Sequence, residues 1–293
     1  MVTSGYQVRD GVDLGGWEVG EEFVREYLAA VDDPSPGYFK YSLVPPLALA
    51  ARTMGSLLEH LALPPGAIHS LQEITTLAPI PFGQEVTAKA SLGPPKRRGG
   101  MDFVTAGFTL KDLHGHDVLG GKSTVLIPGA SAPSANEREQ VEMAARSELE
   151  GPNAEGSEAT GEGALRGVVK TIRQEQLSVY SRVSGDHNPL HLDPSFAATT
   201  RFGGVIAHGM LILAFISEMM AVAFERAWLE TGALRVRFKG AAYLGDRVQA
   251  QGRVTKQESL SQGSKLSCAV VVRNQENGLE LIRGTASVVL TKR

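Results

Sequence analysis

Two long segments of the chain are apolar on nearly all of their surface when read with helical periodicity. The first follows Pro45-Pro46 and runs from Leu47 to Leu61, and the second opens at His208-Gly209 and continues to about Phe224. Shorter stretches that favour strands, separated by Gly, Asp and Asn turns, follow each segment. Because an apolar helix must be covered on most of its surface, we expect a curved antiparallel sheet around each one. The pattern predicts an α+β fold.

The two halves repeat the same landmarks at nearly the same intervals. Pro46 and Gly83 are 37 residues apart, and so are His208 and Gly245. The next intervals, to a hairpin glycine and then to a glycine in the last strand, are 32 and 6 residues in the first half and 33 and 6 in the second. Three matched intervals in the same order indicate an internal duplication. The chain is therefore expected to form a pseudo-dimer of two helix-plus-sheet units, which can pair sheet to sheet.

A segment without periodicity separates the two units. Residues 129–163 are rich in Gly, Pro, Ser and Ala around a charged, helix-compatible stretch, Glu137 to Glu150. Such composition is typical of a linker. We therefore predict three parts: a first domain at residues 1–128, a linker at 129–163 and a second domain at 164–293.

Composition excludes several other classes of protein. Hydrophobic residues make up 42% and charged residues 21%, and the net charge of −3 comes without a dense basic stripe, so no nucleic-acid partner is expected. A single cysteine, Cys268, excludes an intrachain disulfide and fits a reducing compartment. No secretory signal pattern is seen, and the most apolar segment carries Ser217 and Glu218, which favours a buried helix over a membrane span. We expect a cytoplasmic protein with no membrane partner.

Candidate chemistry is concentrated in Ser184-Gly-Asp-His-Asn-Pro-Leu-His191, which is followed by Phe202-Gly-Gly-Val-Ile-Ala-His-Gly-Met210. Asp186 and His191 lie five residues apart across an Asn-Pro turn, just before the glycine-bearing start of the second apolar helix. An acid/base pair beside free helix N–H groups suits the handling of water next to a carbonyl. Asp-x-Asn-Pro alone is a common turn, but with His191 and Gly209 in register the acid/base interpretation is favoured.

Residues 174–224 resemble the catalytic segment of the MaoC-like (R)-specific enoyl-CoA hydratases, also called hydratase 2. The resemblance rests on the run from Tyr180 to Thr200 and on Ile206-Ala-His-Gly-Met-Leu211. It implies two tandem hot-dog units and a hydro-lyase of fatty acid metabolism that reversibly converts trans-2-enoyl-CoA to (R)-3-hydroxyacyl-CoA. A CoA thioester is then the substrate. No other cofactor is implied, and no metal is expected because the usual metal-ligand spacings do not occur in the sequence.

The resemblance also implies roles for individual residues. Asp186 and His191 would hold and activate the catalytic water, and Asn188 would brace the turn between them. The backbone N–H of Gly209 would bind the thioester carbonyl oxygen. Ser217 occupies the position of a serine lining the site, but the residue pattern fits a core hydroxyl equally well.

His208 is the second histidine at the start of the apolar helix. Its neighbour Gly209 supplies the proposed hydrogen-bond donor, so for His208 we expect a structural role that anchors the start of the helix.

The first half keeps the architecture of the second half but lacks its chemistry. Counting six residues from Tyr27 gives Asp33, as counting six from Tyr180 gives Asp186, but five residues further on the first half has Tyr38 in place of an imidazole. We interpret the first half as a degenerate unit that shapes the binding cleft. Its aromatic residues Tyr38 and Tyr41, with Phe39 and Leu43, either line that cleft or belong to the core.

Several alternatives stay open on the sequence alone. One is a dehydratase for branched or dicarboxylic (mesaconyl-type) acyl-CoA, for which Arg182 and Arg201 are the nearest arginines, and another acts on acyl carrier protein. A non-catalytic acyl-thioester-binding subunit and a hot-dog thioesterase are disfavoured by the Asp186/His191 motif. The CoA-binding cations are unassigned, with Lys96, Arg97 and Arg98 as first candidates. The chain is either a monomeric pseudo-dimer or a homodimer.

Overall fold

A computed structural model describes residues 9–61, 67–98, 101–128 and 163–291. The predicted linker, except for Gly163, lies outside the described residues, and the boundaries given for the three parts stay predictions. Within the described residues, no helix is long and apolar enough to cross a membrane.

Among its described residues, the N-terminal half combines three helices with six strands. Helix α3 (Pro46–Leu61) is the first of the two predicted apolar helices, and most of its residues are buried. The other helices are α1 (Glu21–Val31) and α2 (Gly37–Tyr41). The strands are β1 (Arg9–Val19), β2 (Ile68–Thr76), β3 (Gln84–Leu92), β4 (Lys96–Arg98), β5 (Met101–Asp112) and β6 (Asp117–Pro128).

The C-terminal half follows the same plan. Its long helix α6 (Gly209–Thr231) is preceded by α4 (Gln174–Ser184), a 3₁₀ turn (Pro189–His191) and α5 (Pro194–Thr199). The strands are β7 (Val168–Thr171), β8 (Ala233–Phe238), β9 (Arg247–Leu260), β10 (Gly263–Asn274) and β11 (Glu280–Thr291).

The landmark glycines adopt matching conformations in the two halves. Gly83 and Gly245 have φ values of 80° and 87°, and the hairpin glycines Gly115 and Gly278 have values of 82° and 72°. These left-handed conformations favour glycine over any residue with a Cβ atom. The intervals read from the sequence therefore correspond to equivalent turns, as the predicted duplication requires.

The two halves join edge to edge in one antiparallel sheet. The strand order is β1-β3-β5-β6-β2-β8-β11-β10-β9-β7, with β4 pairing on β5. Strands β2 and β8 form the junction, where Ile74 lies opposite Leu234. This confirms the α+β class, and the pairing of the two sheets expected from the sequence takes place along one edge of each. The edge strands β1 and β7 were not anticipated from the sequence.

The long helices pack on the inner face of this sheet and contact each other's half. At Gly55 of α3, a Cβ atom would lie 2.0 Å from the carbonyl oxygen of Ser184 at the end of α4. No side chain fits in that space, so glycine lets the helix backbone reach the segment that carries the Asp186 motif. The N-terminal half thus positions the motif directly.

Candidate active site

A capped turn presents Asp186 at the end of helix α4. Gly185 ends the helix with a φ of 76°, and Oδ1 of Asp186 then accepts a hydrogen bond from the N–H of Asn188 at 3.2 Å. Oδ1 of Asn188 in turn accepts from the N–H of Leu190 at 3.0 Å, with Pro189 opening the 3₁₀ turn. Asn188 therefore has the geometry of the brace expected from the sequence, and Asp186 stays half-buried at the start of the turn.

His191 lies at the end of the 3₁₀ turn and is buried. Its Nδ1 lies 2.8 Å from the carbonyl oxygen of Ile206. A carbonyl only accepts, so Nδ1 carries the proton and Nε2 keeps a lone pair in the neutral ring. Burial lowers the pKa of His191, and the charge of Asp186 opposes that shift. The neutral ring is thus fixed in a tautomer that can accept a proton at Nε2.

His208 holds the start of helix α6 against the turn. Its Nε2 donates to the backbone carbonyl of Asp186 at 3.1 Å, and its ring packs on His191 with 3.9 Å between centroids. Burial lowers the pKa of His208 well below its usual value, and the nearby His191 lowers it further. The geometry is that of the structural anchor expected for this residue.

Gly209 is the first residue of α6, so its N–H has no partner inside the helix. A Cβ atom at this position would lie 3.0 Å from Cε1 of Phe238, which leaves no room for a side chain without moving the ring. Phe238 packs against His69 of β2, with 4.5 Å between ring centroids. The N–H of Gly209 therefore lies beside an aromatic pair, in which Phe238 comes from the C-terminal half and His69 from the N-terminal half.

One cavity of about 770 Å³ receives all of these groups. Asp186, His191 and Gly209 line it together, and so do residues of the N-terminal half. The residues from the N-terminal half are mostly apolar and include Ala51, Met54, Leu58, Met101, Val125 and Leu126. A concave site with a few convergent polar groups on an apolar wall is the usual form of a small-molecule pocket.

Three side chains predicted to line the cleft lie elsewhere. Tyr38 is buried and donates to Oδ2 of Asp33 at 2.8 Å, and Tyr41 donates to the carboxylate of Glu225. Ser217 accepts from Nε1 of Trp228 at 3.1 Å, on a part of α6 that does not line the cavity. Of the two alternatives left open by the sequence, the structure favours a position outside the cleft for all three side chains, because each contacts a partner that does not line the cavity.

The sequence analysis assigned no role to Tyr180 and His69, and both line the cavity. Tyr180, quoted only as part of the motif, is buried, and its hydroxyl has no hydrogen-bond partner among the described residues. His69 enters from β2, where burial lowers its pKa to about 4. Nothing in the local sequence marks a polar residue in a strand as part of a site. His69 could be assigned to the cavity only once the pairing of β2 with β8 is known. The basic run Lys96–Arg98 forms β4 at the side of β5 and contributes nothing to the cavity lining.

Asp186, His191 and His208 also form a possible metal-ligand group. One carboxylate oxygen and one ring nitrogen from each histidine all lie within 4.8 Å of one another. Two imidazoles and a carboxylate suit Zn²⁺. The expectation of a metal-free site was based on sequence spacing, which does not show this three-residue group. That expectation therefore stays a prediction.

Comparisons by sequence find relatives of this chain among known proteins. Residues 157–276 match the family model described as MaoC like domain. The chain is 33% identical over 110 residues to 3-hydroxyacyl-thioester dehydratase Z of Mycobacterium tuberculosis, covering 36% of this chain and 73% of that protein. It is 36% identical over 86 residues to an (R)-specific enoyl-CoA hydratase of Aeromonas caviae, covering 29% and 64%. The chain belongs to the MaoC-like hydratase/dehydratase family, whose named relatives are lyases.

Solved structures show the fold over nearly the whole chain. A MaoC-like dehydratase superposes with a TM-score of 0.75 at 20% identity, covering 97% of this chain and 98% of that one. A Mycobacterium tuberculosis protein described as having a double hot-dog fold gives 0.67 at 11% identity, covering 98% and 96%. The two units are therefore hot-dog units, as the resemblance implied.

Proposed function

We propose that the chain reversibly hydrates trans-2-enoyl thioesters carried by CoA and yields (R)-3-hydroxyacyl-CoA. The observation that carries this proposal is the convergence of the Asp186 carboxylate, the His191 ring and the Gly209 N–H on one cavity. The substrate and stereochemistry come from the named relative that is an (R)-specific enoyl-CoA hydratase.

Asp186 and His191 would hold the attacking water between them. A carboxylate oxygen and a ring nitrogen within 4.8 Å of each other can both contact one water at hydrogen-bond distance. The neutral His191 ring offers its Nε2 lone pair, and the carboxylate offers a second acceptor. The water oxygen then bonds to C3 while its proton passes to the pair and from there to C2, so that hydroxyl and proton are both accounted for.

Gly209 would stabilise the charge that develops during this addition. As C3 is attacked, electrons move onto the thioester carbonyl oxygen, and a preorganised N–H at a helix start is placed to meet them. A donor of this kind typically contributes about 3 kcal/mol of transition-state stabilisation. The absence of a Cβ atom at Gly209 also lets the thioester approach the backbone.

The acyl chain would extend toward the N-terminal half. The cavity wall there is built from apolar residues of α3, β5 and β6, which suit a hydrocarbon chain. The degenerate N-terminal unit would then form the binding surface for the acyl chain, while the C-terminal unit would supply the reacting groups.

The test is a turnover assay with crotonyl-CoA, in which hydration removes the absorbance of the conjugated enoyl thioester. Asp186→Asn and His191→Ala should each lower the rate by orders of magnitude and keep the circular dichroism of the wild type. Asp193→Asn, which keeps a side-chain oxygen for a helix cap outside the cavity, and His116→Ala, an exposed hairpin residue, serve as matched controls. Full activity of both motif variants would rule the assignment out. Unchanged activity after dialysis against EDTA would support a metal-free reaction.

A second candidate is a dehydratase for carboxylated acyl-CoA substrates. Of the two arginines considered for this role, Arg201 lines the cavity and Arg182 does not. Mesaconyl-CoA, assayed beside crotonyl-CoA with wild type and Arg201→Gln, separates the two functions. A preference for mesaconyl-CoA that is lost in the variant would favour the second candidate.

A further inference from the structure

Strand β2 contains a bulge that turns one histidine toward the cavity. Gln72 and Ile74 are buried on the inner face of this strand, so regular alternation would place His69 on the outer face. The register with β6 shifts around Ser70, however, and His69 lies opposite Val125. Paired residues of antiparallel strands project from the same face, and Val125 is buried and lines the cavity. Bulges beside active sites commonly re-aim a side chain, and this one places His69 on the inner wall.

His69 interrupts the apolar wall that the proposed function assigns to the acyl chain. Its neighbours on that wall include Met101, Val125 and Leu126. The imidazole packs on Phe238 with 4.5 Å between ring centroids, and Phe238 is the ring that crowds Gly209. The imidazole therefore lies one aromatic ring away from the N–H that would hold the thioester carbonyl.

The imidazole of His69 is polar but carries no charge at neutral pH. Burial lowers its pKa to about 4, and interactions with Gln72 and the backbone of Leu71 offset only part of that shift. The neutral ring offers one N–H donor and one acceptor nitrogen. An uncharged partner suits such a ring, because a carboxylate taken out of water needs a cation beside it.

One nitrogen of this ring lacks a hydrogen-bond partner. Nε2 of His69 is buried and has none among the described residues. A buried polar atom without a partner is destabilising and rare in native proteins, whereas phenylalanine would fill the same space without that cost. A plain hydrocarbon chain in the cavity would leave Nε2 without a partner, but a hydroxyl group can either donate to it or accept from it. Because χ2 of histidine is a soft torsion, a modest rotation of the ring brings Nε2 to the cavity.

We propose that His69 determines specificity by binding an uncharged oxygen, most simply a hydroxyl, on the acyl chain of the substrate. This inference rests on the proposed function. It narrows the substrate class from plain 2-enoyl thioesters to those whose chain carries such an oxygen beyond the reacting carbons. The degenerate unit then contributes a polar contact that selects the substrate, in addition to its apolar wall.

The test compares trans-2-octenoyl-CoA with its monohydroxy derivatives, in which the hydroxyl stands on the fifth, sixth, seventh or eighth carbon of the chain. Hydration of each substrate removes the same enoyl-thioester absorbance, so one assay serves for all. For the wild type we expect one position of the hydroxyl to give a kcat/KM roughly three- to tenfold above that of the other positions. A net hydrogen bond to a neutral group has an effect of this size, and its geometry restricts the gain to one position.

Variants locate the effect at His69. His69→Phe keeps a ring on Phe238 and removes both nitrogens, so the ratio of kcat/KM for the preferred hydroxylated substrate to that for octenoyl-CoA should fall by roughly three- to tenfold. His69→Gln retains a donor and an acceptor and should recover part of the preference. Ser70→Ala is the matched control, since Ser70 is the neighbouring polar residue of the bulge and also lines the cavity. Its ratio should equal that of the wild type. Because each ratio is taken within one variant, partial loss of folded protein cancels.

The outcomes separate the two proposals. Absence of turnover with crotonyl-CoA and octenoyl-CoA would count against the proposed function and thereby against the role of His69 that rests on it. Turnover without a preferred position of the hydroxyl would overturn the role of His69 alone. An equal fall for every substrate in His69→Phe would also overturn it, because His69 would then act on a part that all the substrates share. A preference that is lost in Ser70→Ala and kept in His69→Phe would assign the oxygen to Ser70 instead.

Discussion

Tyr38 donates a hydrogen bond to Asp33 at 2.8 Å, at the position where the other half of the chain carries His191 and Asp186. Both aspartates also accept the backbone N–H of the residue two positions further on, Ser35 in one half and Asn188 in the other. The turn is thus retained in both units, while the imidazole is replaced by a phenol. Burial raises the pKa of Tyr38 well above its usual value, so this hydroxyl stays protonated and keeps the hydrogen that it donates to Asp33.

The first prediction concerns the stability that this pair provides. Tyr38→Phe should lower the free energy of unfolding by about 1–3 kcal/mol, because it removes the donor from a buried carboxylate. Turnover of crotonyl-CoA should be unchanged, since Tyr38 does not line the cavity. Urea unfolding and the turnover assay measure the two quantities. Tyr41→Phe, which loses an exposed bond to Glu225, should cost less than about 1 kcal/mol. A large loss of turnover in Tyr38→Phe would show that the degenerate pair takes part in catalysis.

The second prediction concerns the protonation of His191. Burial lowers its pKa below the usual 6.5, and the charge of Asp186 raises it in part. The ring should therefore be neutral at pH 7, and kcat/KM should fall only when the pH drops below that lowered pKa. Asp186→Asn removes the opposing charge, so the pKa of His191 should move down further. Proton NMR titration of the His191 ring measures the shift, with His191→Ala to assign the signal. An upward shift in Asp186→Asn would contradict this view of the pair.

Much of the fold follows from local features of the sequence. The apolar faces of α3 and α6 require a covering sheet. The turns need a left-handed backbone conformation that glycine adopts most readily, and they lie at Gly83, Gly115, Gly245 and Gly278. Those requirements are local, so the duplication can be recognised in the sequence itself. The edge-to-edge junction of β2 with β8 depends on pairing between distant segments, and no local pattern specifies it.

The candidate site likewise contains residues that the sequence predicts and residues that it does not. Asp186, Asn188, His191 and Gly209 belong to one continuous stretch, so their spacing already places them together. The wall from the N-terminal half comes from elements far from this stretch in the chain, and it meets the motif only after the sheets join. The role of Ser217 stayed open in the sequence because both sides of an all-apolar helix look alike, and a hydroxyl there does not reveal which side faces the cavity.

The third prediction tests the space around the helix start. Gly209→Ala keeps the N–H but places a methyl group 3.0 Å from Phe238, so either the ring or the helix must move. A displacement of about 1 Å at a reacting group costs on the order of 100-fold in rate, and kcat/KM should fall by that order. The double variant Gly209→Ala/Phe238→Leu should recover part of the loss, because the smaller side chain makes room. Equal activity of the double and single variants would show that crowding by Phe238 is not the cause.

The fourth prediction concerns a buried carboxylate that lies outside the cavity. Glu218 of α6 contacts Lys170 at 2.9 Å, yet burial and then the charge of Asp33 raise its pKa from 4.5 to about 7. The folded state therefore binds the proton more tightly than the unfolded state does. This contribution to stability is complete below about pH 4.5 and is lost as the pH rises through about 7.

Glu218→Gln should accordingly flatten the fall of the unfolding free energy between about pH 5 and pH 8, as urea titrations at several pH values would show. Glu258→Gln is the control, because the pairing with Lys256 lowers the pKa of Glu258 and places its contribution at more acidic pH. A wild-type slope in Glu218→Gln, or an equal change in both variants, would mean that another group titrates in this range. A flattened slope only in Glu218→Gln would establish that the long helix of the C-terminal unit carries a proton-binding carboxylate against the degenerate unit.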